Sequence, residues 1–174
     1  MVVTRVLVDH ASRMQETNTA VPDLAHVFYD NTFKVSVDQK RRLQVPSKWR
    51  SPEGPEIELR LLSWVTRDHG ENCILVLPPK PCADMAVKIN SMPAADPKAE
   101  SLRRWFGGQS ARVTPDKSGR ITIPEIIASK AGISADGDAY LVGLIDRFQI
   151  WSPESHVSRL QEDEAIRGAA LDLL

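Results

Sequence analysis

Residues 35–50 read V-S-V-D-Q-K-R-R-L-Q-V-P-S-K-W-R, and residues 113–128 read V-T-P-D-K-S-G-R-I-T-I-P-E-I-I-A. Asp38 and Asp116, Arg42 and Arg120, and Pro46 and Pro124 are each 78 positions apart (116 − 38, 120 − 42, 124 − 46). Leu43/Ile121 and Val45/Ile123 keep the same phase. Three chemically distinct residues at one offset, with apolar partners in register, mark an internal duplication, and a duplication governs how the rest of a chain is read.

Each copy predicts a strand, a tight loop, a second strand and a helix start. Val35 and Val37 alternate with Lys34 and Ser36, and Leu43 and Val45 with Arg42 and Gln44. That period of two marks strands with one buried face. The loop runs from Asp to Arg four residues later. Asp38 and Asp116 are the turn-forming residues, because a short carboxylate can accept backbone N–H bonds and close such a turn. Gly119 supplies a residue that tolerates positive φ. Pro46 and Pro124 suit the first turn of a helix, where a missing N–H costs nothing, and Gly132 suits the position just past a helix end.

Working outward, residues 1–28 form an extension expected to be poorly ordered. Val2–Val8 is strand-like, Ser12–Pro22 is polar and without period, and Met14 is an alternative start. Residues 29–80 make the first half, with a strand over Glu56–Val65 and a return strand over Cys73–Leu77. Residues 81–106 make a helical connector, one helix over Ala83–Met92 and another from Pro97 to Phe106. Gly107-Gly108 opens the second half, 107–154, which ends in a hairpin of Tyr140–Ile145 and Phe148–Trp151. A C-terminal helix follows over 155–174, opened by Pro153. The expected class is α+β and β-dominated: two pseudo-symmetric halves, each too small for a large core of its own, packed face to face as one body with flanking helices. Trp49, Trp64, Trp105 and Trp151 are expected in cores or subunit contacts.

The 174 residues carry a net charge of −1 and are 42% hydrophobic, ordinary values for a globular protein. No apolar run approaches the length needed to span a bilayer, and no signal peptide is evident. Cys73 and Cys82 give neither a disulfide framework nor a metal pattern, and the expectation is no metal and no cofactor. His10, His26, His69 and His156 are scattered without a neighbouring nucleophile, and there is no Gly-rich phosphate cradle, so no enzyme or small-molecule substrate is expected. Charge distribution is more informative than its total. Lys34, Lys40, Arg41, Arg42, Lys48 and Arg50 surround the first loop against Asp38 alone, whereas the C-terminal segment is acidic. A local basic field is what a polyanion meets.

Asp116-Lys117-Ser118-Gly119-Arg120 followed by Ile121-Thr122-Ile123-Pro124, with Arg103–Gly108 ahead of it and Leu141-Val142-Gly143 and Arg147–Ser152 after it, resembles the MraZ family, whose members carry two SpoVT-AbrB-type half domains. The likeness covers about residue 29 to about residue 160. It implies a double-split β-barrel-like body and a cytoplasmic, nucleoid-associated bacterial transcriptional regulator. Such proteins bind double-stranded DNA at promoter direct repeats upstream of a cell-division and cell-wall operon, as a ring of identical subunits. The DNA-contacting set it suggests is Arg42, Arg41, Lys40, Lys48 and Arg50 in the first half, with Lys117 and Arg120 in the second. An Arg here can grip guanine or phosphate, or simply pair with its Asp and hold the turn. Three departures stand out: Arg41 replaces the signature glycine, Gln39 replaces its lysine, and the extension ahead of Tyr29 is unusual, since family members usually begin close to that position. If the glycine position needs positive φ, Arg41 carries a strain of roughly 1 kcal/mol. An AbrB-like protein-interaction module of antitoxin type, with the acidic C-terminal helix as its tail, and an oligomeric scaffold are the alternatives.

Overall fold

A computed structural model describes residues 27–50, 57–65 and 72–174. The expected extension up to residue 26, with its strand-like start, lies outside the described residues, as do the loops at 51–56 and 66–71. The first half contributes β1 (Thr32–Ser36), β2 (Arg42–Gln44), a single 3-10 turn at Ser47–Trp49, β3 (Leu59–Val65) and β4 (Asn72–Leu77). Two helices follow, α1 (Pro79–Asn90) and α2 (Pro97–Gly108). The second half contributes β5 (Ser110–Val113), β6 (Arg120–Thr122), α3 (Glu125–Lys130), β7 (Asp138–Gly143) and β8 (Phe148–Trp151), and α4 (Pro153–Leu171) ends the chain.

The strands form one six-stranded antiparallel sheet, in the order β1-β7-β8-β4-β3-β5, and a separate two-stranded ribbon of β2 and β6. Exchanging each first-half strand with its second-half counterpart reproduces the same order read backwards, which is the pseudo-twofold that the repeat implies. The halves do not simply meet face to face. The β1–β7, β3–β5, β4–β8 and β2–β6 pairings all cross between halves, and only the β3–β4 and β7–β8 hairpins stay within one. A lone half would leave strand edges unpaired, and the crossing satisfies those backbone groups. No closed barrel is present among the described residues.

One core lies between the ribbon and the inner face of the sheet. Leu43 and Ile121, opposite each other in the ribbon, pack there with Leu61, Ile74, Leu141, Phe148 and Ile150, all at most 1% exposed. Each such side chain contributes roughly 1.5–3 kcal/mol relative to exposure. Trp49 belongs to this core, in ring contact with Tyr29, Phe33 and Phe148. On the outer face, Leu62, Leu75 and Leu77 carry Trp64, Met85, Trp105 and Phe106, so α1 and α2 cover one end of the sheet. Near the other, α4 lays His156 flat against Tyr140 of β7 at 4.2 Å.

Several boundaries differ from the sequence reading for identifiable reasons. α1 begins at Pro79, four residues earlier than expected, because prolines fit a first helical turn as well as they end a strand. α2 runs through Gly107 and Gly108, whose missing side chains meet nothing nearby. Pro46 and Pro124 stand just before the helical residues rather than within them, both with extended backbone. Gly132, at φ 65°, ends α3 as expected, with Ile133 N–H donating back to Ala128 O at 2.9 Å. Among the described residues no helix is long and apolar enough to cross a membrane.

Candidate nucleic-acid interface

The two Asp-to-Arg loops are built alike. Asp38 Oδ1 accepts from the backbone N–H groups of Lys40 and Arg42, both at 2.9 Å, and Asp38 Oδ2 accepts from Arg42 Nε at 2.7 Å. Asp116 Oδ1 accepts from Ser118 N at 2.9 Å and Arg120 N at 3.0 Å, and its Oδ2 from Arg120 Nε at 2.9 Å. Both arginines add a second contact to the same oxygen, Arg42 Nη2 at 2.7 Å and Arg120 Nη2 at 2.8 Å. Backbone bonds close each turn: Arg41 N to Asp38 O, and Gly119 N to Asp116 O. These donors hold both carboxyls below the usual carboxylate range, the Arg42 and Arg120 backbone N–H groups contributing most.

The glycine departure can now be read directly. Arg41 has φ 56° and Gly119 φ 79°, so the first loop keeps the left-handed turn without the glycine. Arg41 bears that strain because the surrounding bonds determine its backbone. Its carbonyl accepts from Ile123 N–H at 2.9 Å, and reciprocally Val45 N–H donates to Gly119 O at 3.0 Å. Each loop is thus clasped by the other half's strand.

The ribbon gives the arginines their common face. In the register Arg42↔Thr122, Leu43↔Ile121, Gln44↔Arg120, the central pair points into the core. Alternation then sends Arg42, Gln44, Arg120 and Thr122 to the opposite side, where Gln44 and Thr122 are exposed and the arginines half-buried. Arg42, Gln44 and Arg120 line a surface concavity of about 450 Å³ with Asp38, Asp136 and Asp138. The field there is mixed, although Asp38 is already paired to Arg42 and Asp138 to Lys34 at 2.8 Å.

The remaining basic candidates spread around this face. Lys40 and Lys117 are exposed on the two loops, and neither forms an ion pair among the described residues. Arg41 reaches across to Glu125 at the start of α3, at 3.4 Å. Arg50 lies over Gly119 and donates to Ser118 O at 3.4 Å. The Nε atoms of Arg41 and Arg50 are both buried without a partner among the described residues. Lys48 is paired with Asp30 at 2.8 Å and sits 5.0 Å from the Phe33 ring centre, so it is turned to the side of the ribbon. Sequence reasoning missed Gln44 and Thr122; the strand alternation placed both beside an arginine, but only the β2–β6 register brings all four together. Among the described residues no three His, Cys, Asp or Glu side chains converge as a metal site.

No family model matches the chain. Its sequence is nevertheless similar to curated transcriptional regulators MraZ. The protein of Coxiella burnetii (strain RSA 493 / Nine Mile phase I) is 30% identical over 117 residues, covering 67% of this chain and 74% of the relative. That of Alcanivorax borkumensis is 30% identical over 121 residues, covering 70% and 80%. That of Acetivibrio thermocellus is 29% identical over 125 residues, covering 72% and 80%. With relatives of this name 30% identical over two thirds or more of its length, the chain belongs to the MraZ family of transcriptional regulators.

Proposed function

We propose that this regulator binds double-stranded promoter DNA through the exposed face of the β2–β6 ribbon and its two flanking loops. The observation that carries the reading is the presentation of Arg42 and Arg120 together on that face. Each is fixed by two contacts to its own aspartate, which among the described residues leaves three of its five N–H groups unspent. A two-stranded ribbon fits the major groove, where a guanidinium can donate to guanine O6 and N7 or clamp a phosphate. Lys40 and Lys117 on the loops, with Arg41 and Arg50 behind them, supply charge that positions the duplex without specifying sequence. Lys48, paired beside the ribbon, belongs to the outer edge of this surface.

Contacts from a three-residue ribbon are few, so we read the working unit as a ring of identical subunits on direct repeats, several weak contacts adding through effective concentration. Ile166, Leu171, Leu173 and Leu174 are exposed at the end of α4, an apolar surface suited to a neighbouring subunit. In the same reading the open sheet and the ribbon close over their shared core as a double-split barrel-like body. The cytoplasm, in association with the nucleoid, is its expected location.

The test is titration of the full chain with its own upstream promoter DNA, wild type beside Arg42→Ala, across a range of salt. Wild type should bind with a steep salt dependence. Arg42→Ala should bind more weakly and, if Arg42 holds a phosphate, flatten the log–log slope by about 0.9. Unchanged affinity at fixed salt refutes the assignment of Arg42. A monomeric wild type in native mass spectrometry refutes the ring.

A further inference from the structure

Gln44, an uncharged side chain on the ribbon face, has its orientation set by one of its two polar ends. Its amide nitrogen donates to Ser118 O at 2.7 Å and to Val45 O at 3.2 Å. Both acceptors are backbone carbonyls, which can only accept. The carboxamide is therefore fixed with its NH₂ on the protein and its oxygen turned away, an orientation that follows from the network rather than from choice. Among the described residues no donor reaches Oε1. Gln44 thus offers solvent an acceptor only, although a free glutamine would offer both.

Directly across the ribbon stands Arg120, whose exposed N–H groups only donate. Opposed side chains on one face lie about 5 Å apart at their Cβ atoms. The ribbon therefore carries a fixed donor beside a fixed acceptor. The major-groove edge of a G·C pair presents the complement: O6 and N7 acceptors on guanine, and an N4 amino donor on cytosine. Adenine N6 offers the same donor from a neighbouring pair.

Resting on the DNA-binding reading above, we infer that Gln44 is a specificity-determining residue. Its oxygen accepts from a major-groove amino group, cytosine N4 or adenine N6, next to the guanine engaged by Arg120. The other directly opposed pair on this face, Arg42 and Thr122, lacks such a fixed acceptor, so the two halves of one subunit read unlike base pairs.

The experiment is selection of binding sites from a randomised duplex pool with the full chain. The selected site is then titrated with every single base-pair substitution, for wild type and for Gln44→Met, which keeps side-chain length and removes both polar ends. Wild type should prefer an amino-bearing base at one position by about tenfold, within the range for one good base contact. In Gln44→Met that preference should fall to within about twofold, while scrambled-sequence affinity and preferences elsewhere stay within about twofold of wild type, as expected for a base rather than a phosphate contact. An unchanged base profile in Gln44→Met overturns the inference and leaves the DNA reading standing. A uniform loss at all positions, scrambled DNA included, also overturns it, because Gln44 would then only brace the Ser118 loop. Failure of wild type to enrich any sequence overturns both readings.

Discussion

Gly119→Ala tests whether the second loop needs its glycine for backbone and for space together. At φ 79° a Cβ in the left-handed region costs about 1 kcal/mol. The new atom would also lie 2.6 Å from both Cδ and Nη1 of Arg50 and 2.8 Å from its Cζ, so the Arg50 side chain must leave the loop. That side chain is flexible, and its bond to Ser118 O is long at 3.4 Å, so displacement adds only another 1 kcal/mol or so. The total of about 2 kcal/mol corresponds to a fall in Tm of roughly 4–8 °C for a domain of this size. Thermal unfolding followed by circular dichroism measures it, and Arg50→Ala separates the two parts. In that background Gly119→Ala should cost only its backbone share, giving a coupling of about 1 kcal/mol in the double-mutant cycle. A coupling indistinguishable from zero would refute the claim that Arg50 seals this loop, and a neutral Gly119→Ala would refute the backbone claim as well.

Arg41→Gly should do the reverse in the first loop, raising Tm by about 1–4 °C, since relief of about 1 kcal/mol at a left-handed side chain outweighs an Arg41–Glu125 pair worth at most about 0.5 kcal/mol; a lower Tm would show that Arg41 is held for its contacts. Asp136→Asn removes a negative charge from the concavity of Arg42 and Arg120 while keeping a residue that accepts its φ of 55°. DNA affinity should rise about two- to fivefold at low salt and return to the wild-type value at high salt as the charge is screened, as electrophoretic mobility shift can read. The lowered Asp38 and Asp116 carboxyls bind fewer protons folded than unfolded, so their stabilisation is complete above the ordinary aspartate range near pH 4 and is lost as pH falls through their lower folded values. A chain carrying Asp38→Asn and Asp116→Asn should therefore show a flatter dependence of Tm on pH below about 4 than wild type, and parallel acid limbs would count against the hydrogen-bonded loops.

Much of this was legible before any coordinates. The offset between the two Asp-to-Arg loops predicts the pseudo-twofold, and the alternation around Leu43 and Ile121 predicts which face of each short strand is buried. What alternation cannot supply is the partner. Period-two patterning says that Val35 or Leu43 has an inward face, not that β1 pairs with β7 of the other half or β2 with β6. The site divides in the same way. Asp38, Arg42, Asp116 and Arg120 could be read as loop residues with turn chemistry. Gln44 carried no signal of its own, because its role depends on a carbonyl 74 positions away, that of Ser118. The left-handed Arg41 was posed by the sequence as a conditional; only the backbone angle answers it.

The clasp between halves bears on how binding free energy would be spent. Val45 N–H on Gly119 O and Ile123 N–H on Arg41 O tie each loop to the opposite strand, so neither loop can reorganise alone. Asp38 and Asp116 meanwhile hold the two guanidiniums by paired contacts. An arginine carries about 2 kcal/mol of rotamer entropy, and a large part of it at Arg42 and Arg120 has been lost on folding rather than on meeting DNA. Ordering side chains at contact is one of the main costs of association, so a ribbon of three residues per strand can serve as an interface only if it arrives ordered. The same carboxylates would be poor neighbours for phosphate if they were free. Bound as they are to their own loops, their charge is already met by the arginines they position, and turn closure and DNA contact become two roles of one pair rather than competing readings of it.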